Sequence, residues 1–282
     1  MDLGSIGVWT FAFDGQPAGE VREAAAELDE LGYGAIWFAE STGREALTQA
    51  SLLLHATNRL TVATGIARTV GRDPAVMALA HHTLTEAFPE RFLLGLGGHR
   101  SPKQEPGITG AGDPRPIDTM RDYLDAMDAV PGFSVRPRRA LAALGPQALK
   151  LAAEKTWGAH TYFVPVEHTA QAREILGPEA LLAVELPVVL GHDREVARAR
   201  VGGGFRARHY ANNLRRLGFT EDDLAGSDRL VDALVVTGDV DAVAKRIQEH
   251  LDAGANHVCV EVLTADSQRL PRAEWRELAS LV

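Results

Sequence analysis

Apolar and polar positions along this chain follow two periods that take turns. Short runs at 4–9 (GSIGVW), 34–40 (GAIWFAE), 60–63 (LTVA), 91–97 (RFLLGLG), 140–144 (ALAAL), 159–164 (AHTYFV), 181–190 (LLAVELPVVL) and 257–262 (HVCVEV) are apolar and rich in β-branched or aromatic residues, which predicts strands. Between them the spacing becomes helical. Val21, Ala24, Leu28 and Leu31 share one face, and Gly32 stops that helix. Asp73 and Pro74 open another, with Val76, Leu79, Ala80, Leu84 and Phe88 on one side. Further helices are expected over 45–56, 117–129 and 168–176, and from Pro146 onward.

Strands that alternate with helices specify a parallel sheet covered by crossover helices. Eight such units are the number that closes a barrel, so the pattern predicts an α/β fold, a (β/α)8 TIM barrel, as a single domain over 1–282. Three features interrupt the regularity. The segment 98–116 (GHRSPKQEPGITGAGDPRP) is too rich in glycine and proline for regular structure, and loops of that length are commonly functional. Gly202, Gly203 and Gly204 predict a helix break. Thr237, Gly238 and Asp239 read as caps before a helix with Val240, Val243, Ala244, Ile247 and Leu251 on one face.

Composition narrows the function classes. A net charge of −9 gives no general attraction to nucleic acid or an anionic membrane, so an anionic ligand must find a local basic patch. The single cysteine, Cys259, excludes an internal disulfide and reads as a small core residue. The first residues lack a basic stretch followed by an apolar one, and no run is long enough to span a bilayer, so a cytoplasmic location is expected.

Ligands of such barrels bind where strands become loops. That selects Trp9 to Phe11, Glu40 and Ser41, Gly65 to Ala67, Gly97 to His99, Leu144 and Gly145, and Tyr162 and Phe163, a set rich in glycine and aromatics and poor in ionisable groups. A Schiff-base enzyme needs a lysine at a strand end, whereas Lys103, Lys150, Lys155 and Lys245 fall in a loop and in helices. No His-x-His or His-Glu-x-x-His spacing suggests a metal hydrolase, and GLGGHR lacks the full dinucleotide fingerprint. The remaining description, backbone amides with flat apolar walls, suits a large planar cofactor. The glycine-proline start at Gly145, Pro146 and Gln147 is the better phosphate candidate, because a helix N-terminus presents unpaired N–H groups. Arg68, Arg72, Arg100 and Lys103 are candidate cations for an anionic tail.

The succession GVWT, GYGAIWFAES, TVATGIA then RDPAVMA, ERFLLGLG, LGPQALKLAAE, NNLRRLGF, LVDALVVTGD and HLDAGANHVCVEVL resembles the bacterial luciferase-like superfamily, and within it the branch dependent on the deazaflavin coenzyme F420. The resemblance implies an oxidoreductase exchanging hydride between deazaflavin C5 and a small organic substrate. An FMN-dependent monooxygenase or reductase, or a degenerate cofactor-binding barrel, are the alternatives. It also implies a non-prolyl cis peptide at Gly65-Ile66 behind the cofactor ring. Carried over by position, Glu40, Ser41, Gly65, Ile66, Ala67, Gly97, Gly98, Ala143, Leu144, Gly145, Pro146, Gln147 and Tyr162 are expected to bind the cofactor. Glu40 would reach the ring edge. Ser41 stands where redox relatives often carry histidine, which leaves His99 as the nearby proton donor. Gly98 replaces a carboxylate that some dehydrogenases of the family use. Pairing into homodimers is a further expectation of the resemblance.

Overall fold

A computed structural model describes residues 1–41, 43–98, 115–131, 138–204, 208–267 and 269–282. The strands are β1 (Ile6–Thr10), β2 (Ala35–Phe38), β3 (Thr61–Thr64), β4 (Ala67–Arg68), β5 (Phe92–Gly97), β6 (Arg139–Ala142), β7 (Gly158–Thr161), β8 (Leu181–Leu190), β9 (Val236–Gly238) and β10 (His257–Val262). The helices on the way are α1 (Ala18–Glu30), α2 (Ala46–Ala56), α3 (Pro74–Ala87), α4 (Pro116–Asp128), α5 (Pro146–Lys155), α6 (Val166–Leu176), α7 (Arg194–Gly204) and α8 (Arg208–Arg216). After them come α9 (Glu221–Leu224), α10 (Asp228–Leu234), α11 (Val240–Asp252) and α12 (Arg272–Leu278).

Parallel pairs run in order from β1 to β2, β3, β5, β6, β7, β8 and β10, and β10 pairs back with β1. The eight-stranded cylinder expected from the sequence is therefore closed and leaves no edge among these strands. Two short strands sit on its rim. After a bulge, β4 carries the β3 side of the sheet onward and pairs with β5. The second, β9, was expected only as a cap. It arises because β8 is ten residues long and outruns its neighbours: β7 takes Leu181–Val184, β10 takes residues up to Val188, and β9 pairs with Val188–Leu190.

Side chains alternate between two dry layers, as the pleat requires. Val8, Ile36, Leu94 and Leu141 face the helices, while Trp9, Trp37, Leu93, Ala140 and Cys259 fill the cylinder. A third cluster, including Val189, Leu214, Leu230 and Leu234, lies under α7, α8 and α10. Helix starts follow the sequence signals: Asp73 accepts from the Ala75 amide at 2.8 Å, and Glu45 accepts from Leu47 and Thr48. Gly32 takes φ +92°, which permits the stop after α1.

The boundaries differ from expectation in three places. β6 ends at Ala142, before the proline-led start of α5. β7 ends at Thr161, because Phe163 adopts φ 59° and gives its amide to Glu185 Oε2 at 2.8 Å instead of the ladder. Gly202, Gly203 and Gly204, expected to break a helix, are helical as the last described residues of α7, and 205–207 lie outside the described residues. The long segment after Gly98 falls outside the described residues.

Candidate functional site

The mouth of the cylinder has a flat side and an aromatic side. On the flat side, β3 leaves its ladder in a bulge: the Gly65 amide donates to Phe38 O at 2.7 Å, and the Glu40 amide donates to Ile66 O at 3.1 Å. The Gly65-Ile66 peptide is cis. Ile66 drapes over β5 so closely that a Cβ on Gly97 would lie 2.4 Å from Ile66 Cδ1. Beside it, Ala142 is exposed at the end of β6. No side chain larger than isoleucine therefore rises from these three strand ends. Gly98, the next residue, is exposed, and a Cβ there would meet nothing nearer than Met120 Cε at 3.8 Å.

Ala67 and Ala143, expected at the cofactor, are buried with their side chains in the layer between sheet and helices. They can offer a ligand backbone only. Ser41 is half-buried one residue past Glu40.

Glu40 is held on both carboxylate oxygens. Its Oε1 takes Arg72 Nη2, and its Oε2 accepts from Arg72 Nη1 at 2.6 Å and from the Arg68 amide at 2.8 Å. Glu40 and Arg72 thus form a bidentate clamp that ties β2 to the segment after the bulge. Arg72, a candidate for an anionic tail, is spent on Glu40, Glu45 and the Arg68 carbonyl. The hydrogen bond to Glu40 raises its already high pKa further.

At one end of the flat side, α5 opens with Gly145 as N-cap and no side-chain cap. Pro146 has no N–H, so the Gln147 and Ala148 amides are the free donors of the first turn. Leu144, just before, gives its carbonyl to His168 Nε2 at 2.8 Å. Arg216, from α8, brings its guanidinium over the same point: a Cβ on Gly145 would lie 3.1 Å from Nη1. Its partner there is Asn213 Oδ1, at 2.8 Å from Nη2.

An aromatic side, with Trp9 packed against Gly65, is built from Trp9, Phe11 and Tyr162. Beneath it lies a cluster that sequence reasoning missed. Glu185 sits across from Cys259, and Glu261 sits across from both Pro187 and Trp9, so both glutamates project into the cylinder at its upper end. Arg200 reaches in from α7, donating to Glu261 Oε2 at 2.7 Å and to the Tyr162 hydroxyl, and lies 3.6 Å from Glu185 Oε1. Burial, and then the charge of Glu261, push the Glu185 carboxyl well above the usual carboxylate range. Burial likewise raises the Tyr162 phenol. The available signal was an ionisable residue inside each of two apolar strand runs, LLAVELPVVL and HVCVEV; which partner neutralises them is invisible in the pattern.

Below Gly65, burial lowers the His160 pKa to about 3 and keeps the ring neutral. Its Nδ1 contacts Ala183 O at 3.3 Å and so carries the proton. Trp37 stacks on it, with ring centroids 4.5 Å apart. His99, Arg100 and Lys103 lie outside the described residues. Among the described residues, no three or more His, Cys, Asp or Glu side chains group as metal ligands, and no helix is long and apolar enough to cross a membrane.

The fold is shared with known proteins. A Mycobacterium tuberculosis protein, Rv3520c, to which coenzyme F420-dependent oxidoreductase activity is provisionally ascribed, is 27% identical, with 100% of this chain and 99% of the relative covered. An F420-dependent secondary alcohol dehydrogenase in complex with an F420-acetone adduct superposes with a TM-score of 0.73 at 14% identity, covering 100% of this chain and 98% of that one. The oxygenating constituent of 3,6-diketocamphane monooxygenase from the CAM plasmid of Pseudomonas putida, in complex with FMN, gives 0.69 at 17% identity, covering 99% and 96%. The family model for luciferase-like monooxygenases matches residues 5–257, and the chain belongs to that family.

Proposed function

We propose that this protein is an oxidoreductase that works with coenzyme F420, with the ring over the Gly65-Ile66 floor and the phosphodiester at the Gly145 end of α5. The observation that carries the reading is the Arg216 guanidinium beside the uncapped α5 N-terminus, at the edge of a floor with no large side chains. An amide-rich helix end and a cation make an anion seat, and a bare floor admits a flat heterocycle. These residues fit a group with a planar ring and a negative tail. The use of F420 ascribed to the 27% identical relative supports the choice of cofactor.

When bound, F420 supplies two-electron hydride exchange at ring carbon C5. The chain's own residues bind and orient. Ile66, Gly97, Gly98 and Ala142 would leave one broad face for the ring, Gln147 and Ala148 with Arg216 would hold the tail, and Trp9 beside Gly65, with Tyr162, would screen the site from water. Glu40 fixes the rim through Arg72, and we assign the proton donor to His99. FMN is the second reading, since it also joins a flat ring to a phosphate and since the fold is shared with an FMN-bound monooxygenase. A cytoplasmic location belongs to the same proposal, as does pairing into homodimers. Val76 and Leu79, 60% and 53% exposed and one turn apart on α3, are apolar residues that a second copy would cover.

Titrating the purified protein separately with F420 and FMN, followed by cofactor fluorescence, tests the assignment. Saturable F420 binding that weakens tenfold or more in Arg216→Ala is expected; tight FMN binding with none to F420 would reverse it. Light scattering of the eluting protein reads the dimer, and Leu79→Glu is expected to shift it toward monomer.

A further inference from the structure

Three charged side chains meet at the upper end of the cylinder, and they do not cancel. Glu185 and Glu261 are buried, and Arg200 is the one cation among the described residues that pairs with either. With both carboxyls ionised, the cluster would hold a surplus negative charge in a dry interior. The other titratable groups around it offer no positive charge: the Tyr162 phenol after β7, the Tyr210 phenol of α8 and the Cys259 thiol of β10 are all neutral, and burial raises each of them further.

Hydrogen bonding says where a proton would sit. Glu185 Oε2 accepts from the Phe163 amide at 2.8 Å, whereas Oε1 receives no donor among the described residues and stands 3.6 Å from Arg200 Nη2, beyond hydrogen-bond reach. That nitrogen is already committed to Glu261 Oε2 at 2.7 Å and to the Tyr162 oxygen. The Glu185 carboxyl also meets Glu261 in a side-chain hydrogen bond, which two carboxylates could not make, because neither has a hydrogen to give. Protonating an ordinary glutamate at pH 7 is about 500-fold uphill. A carboxylate oxygen left bare and unbalanced inside a protein is costlier still.

We infer that Glu185 and Glu261 hold a single proton between them at neutral pH, carried on Glu185 Oε1, and that with Arg200 they form a charge-balanced seat for α7 at the barrel mouth. Glu185 is then a neutral positioning residue. Its Oε2 keeps the Phe163 amide, on a backbone with φ 59°, out of the β7 ladder, and its Oε1 hydrogen holds Glu261 in line with Arg200. The seat is pH-dependent with a definite sign: the unfolded chain gives up this proton near pH 4.3 and the folded chain keeps it, so the group's contribution to stability is whole below that pH and shrinks as pH rises toward the folded value.

Infrared spectroscopy of the full chain, isotopically labelled at glutamate, reads the proton directly at pH 7, where surface carboxylates are ionised. One carboxylic-acid carbonyl band per chain is expected. It should vanish in Glu185→Gln and equally in Glu261→Gln, because either substitution leaves one carboxylate facing one guanidinium. Urea denaturation gives a second reading: the folding constant of Glu185→Gln relative to the unaltered protein should rise about tenfold for each pH unit between 5 and 7, a ratio in which the histidine contributions cancel. Glu261→Gln should show the same trend, so either variant suffices if the other folds poorly. Glu185→Leu, which cannot accept from the Phe163 amide, should be less stable than Glu185→Gln at every pH. No carboxylic-acid band, a band that survives either glutamine substitution, or a stability ratio that stays level with pH would overturn the inference.

Discussion

Gly65 and Trp9 approach so closely that a methyl group on the glycine would stand 2.6 Å from the indole Nε1. The same methyl would lie 3.2 Å from His160 Nε2. Both rings are buried in the packed interior. Gly65→Ala is therefore expected to destabilise the fold by about 1–3 kcal/mol through overpacking, and to lower F420 affinity by lifting the floor. Urea denaturation and cofactor titration measure the two effects; a variant unchanged in both would show that the close approach is unimportant.

The clamp between Glu40 and Arg72 makes a different demand. Glu40 is 7% exposed in its side chain and Arg72 18%, so replacing the carboxylate leaves a half-buried guanidinium with Glu45 as its remaining carboxylate partner. Glu40→Gln is expected to cost about 2–3 kcal/mol, and Arg72→Ala a similar amount, with the double variant costing far less than the sum. A double-mutant cycle by chemical denaturation reads this. Full stability in Glu40→Gln with lost cofactor binding would instead support the ring-edge role.

Asp29 shows how one residue sets the entry to β3. Its carboxylate accepts from the Asn58 amide at 2.6 Å and the Leu60 amide at 2.9 Å, with the Arg59 amide at 3.2 Å. Asp29→Ala strands these donors in a region where Asp29 is 6% exposed. A loss of about 2–4 kcal/mol follows, measurable as a lowered denaturation midpoint with an unchanged slope.

Acid sensitivity should come from histidines. Burial lowers His81 and His257 to about 4 and His160 and His250 to about 3. In the unfolded chain each titrates near 6.5, so the unfolded state takes up protons that the folded state refuses. Their contribution is whole above that pH and is lost as pH falls toward 4, at about 1.4 kcal/mol per pH unit for each ring. Denaturation midpoints are expected to drop steeply below pH 6.5. His250→Asn, which keeps a group to meet Thr169 Oγ1, should make the drop shallower. A flat response between pH 7 and 5 would contradict the burial of these rings.

Much of this protein is legible from local chemistry. Asp73 with Pro74, Gly32 after α1 and the eight apolar strand runs specify elements whose order admits a closed barrel, because caps and periodicity act over a few residues. The bulge at Gly65 was expected from the family resemblance, and the amide end at Gly145 was marked by the proline that follows it. The Arg72 clamp on Glu40 was not legible. The arginine is 32 residues away on another loop, and whether it reaches the glutamate depends on how two strand ends meet.

The alternation of β and α patterns thus determined the architecture, since burying apolar stripes on both faces of a parallel sheet leaves few other solutions. Tertiary packing alone decided which charges cancel: Arg200 from α7 lands between glutamates of β8 and β10, and Arg216 from α8 lands on the start of α5. Those meetings are set by distances across the folded barrel, where sequence separation carries no information about electrostatic partnership.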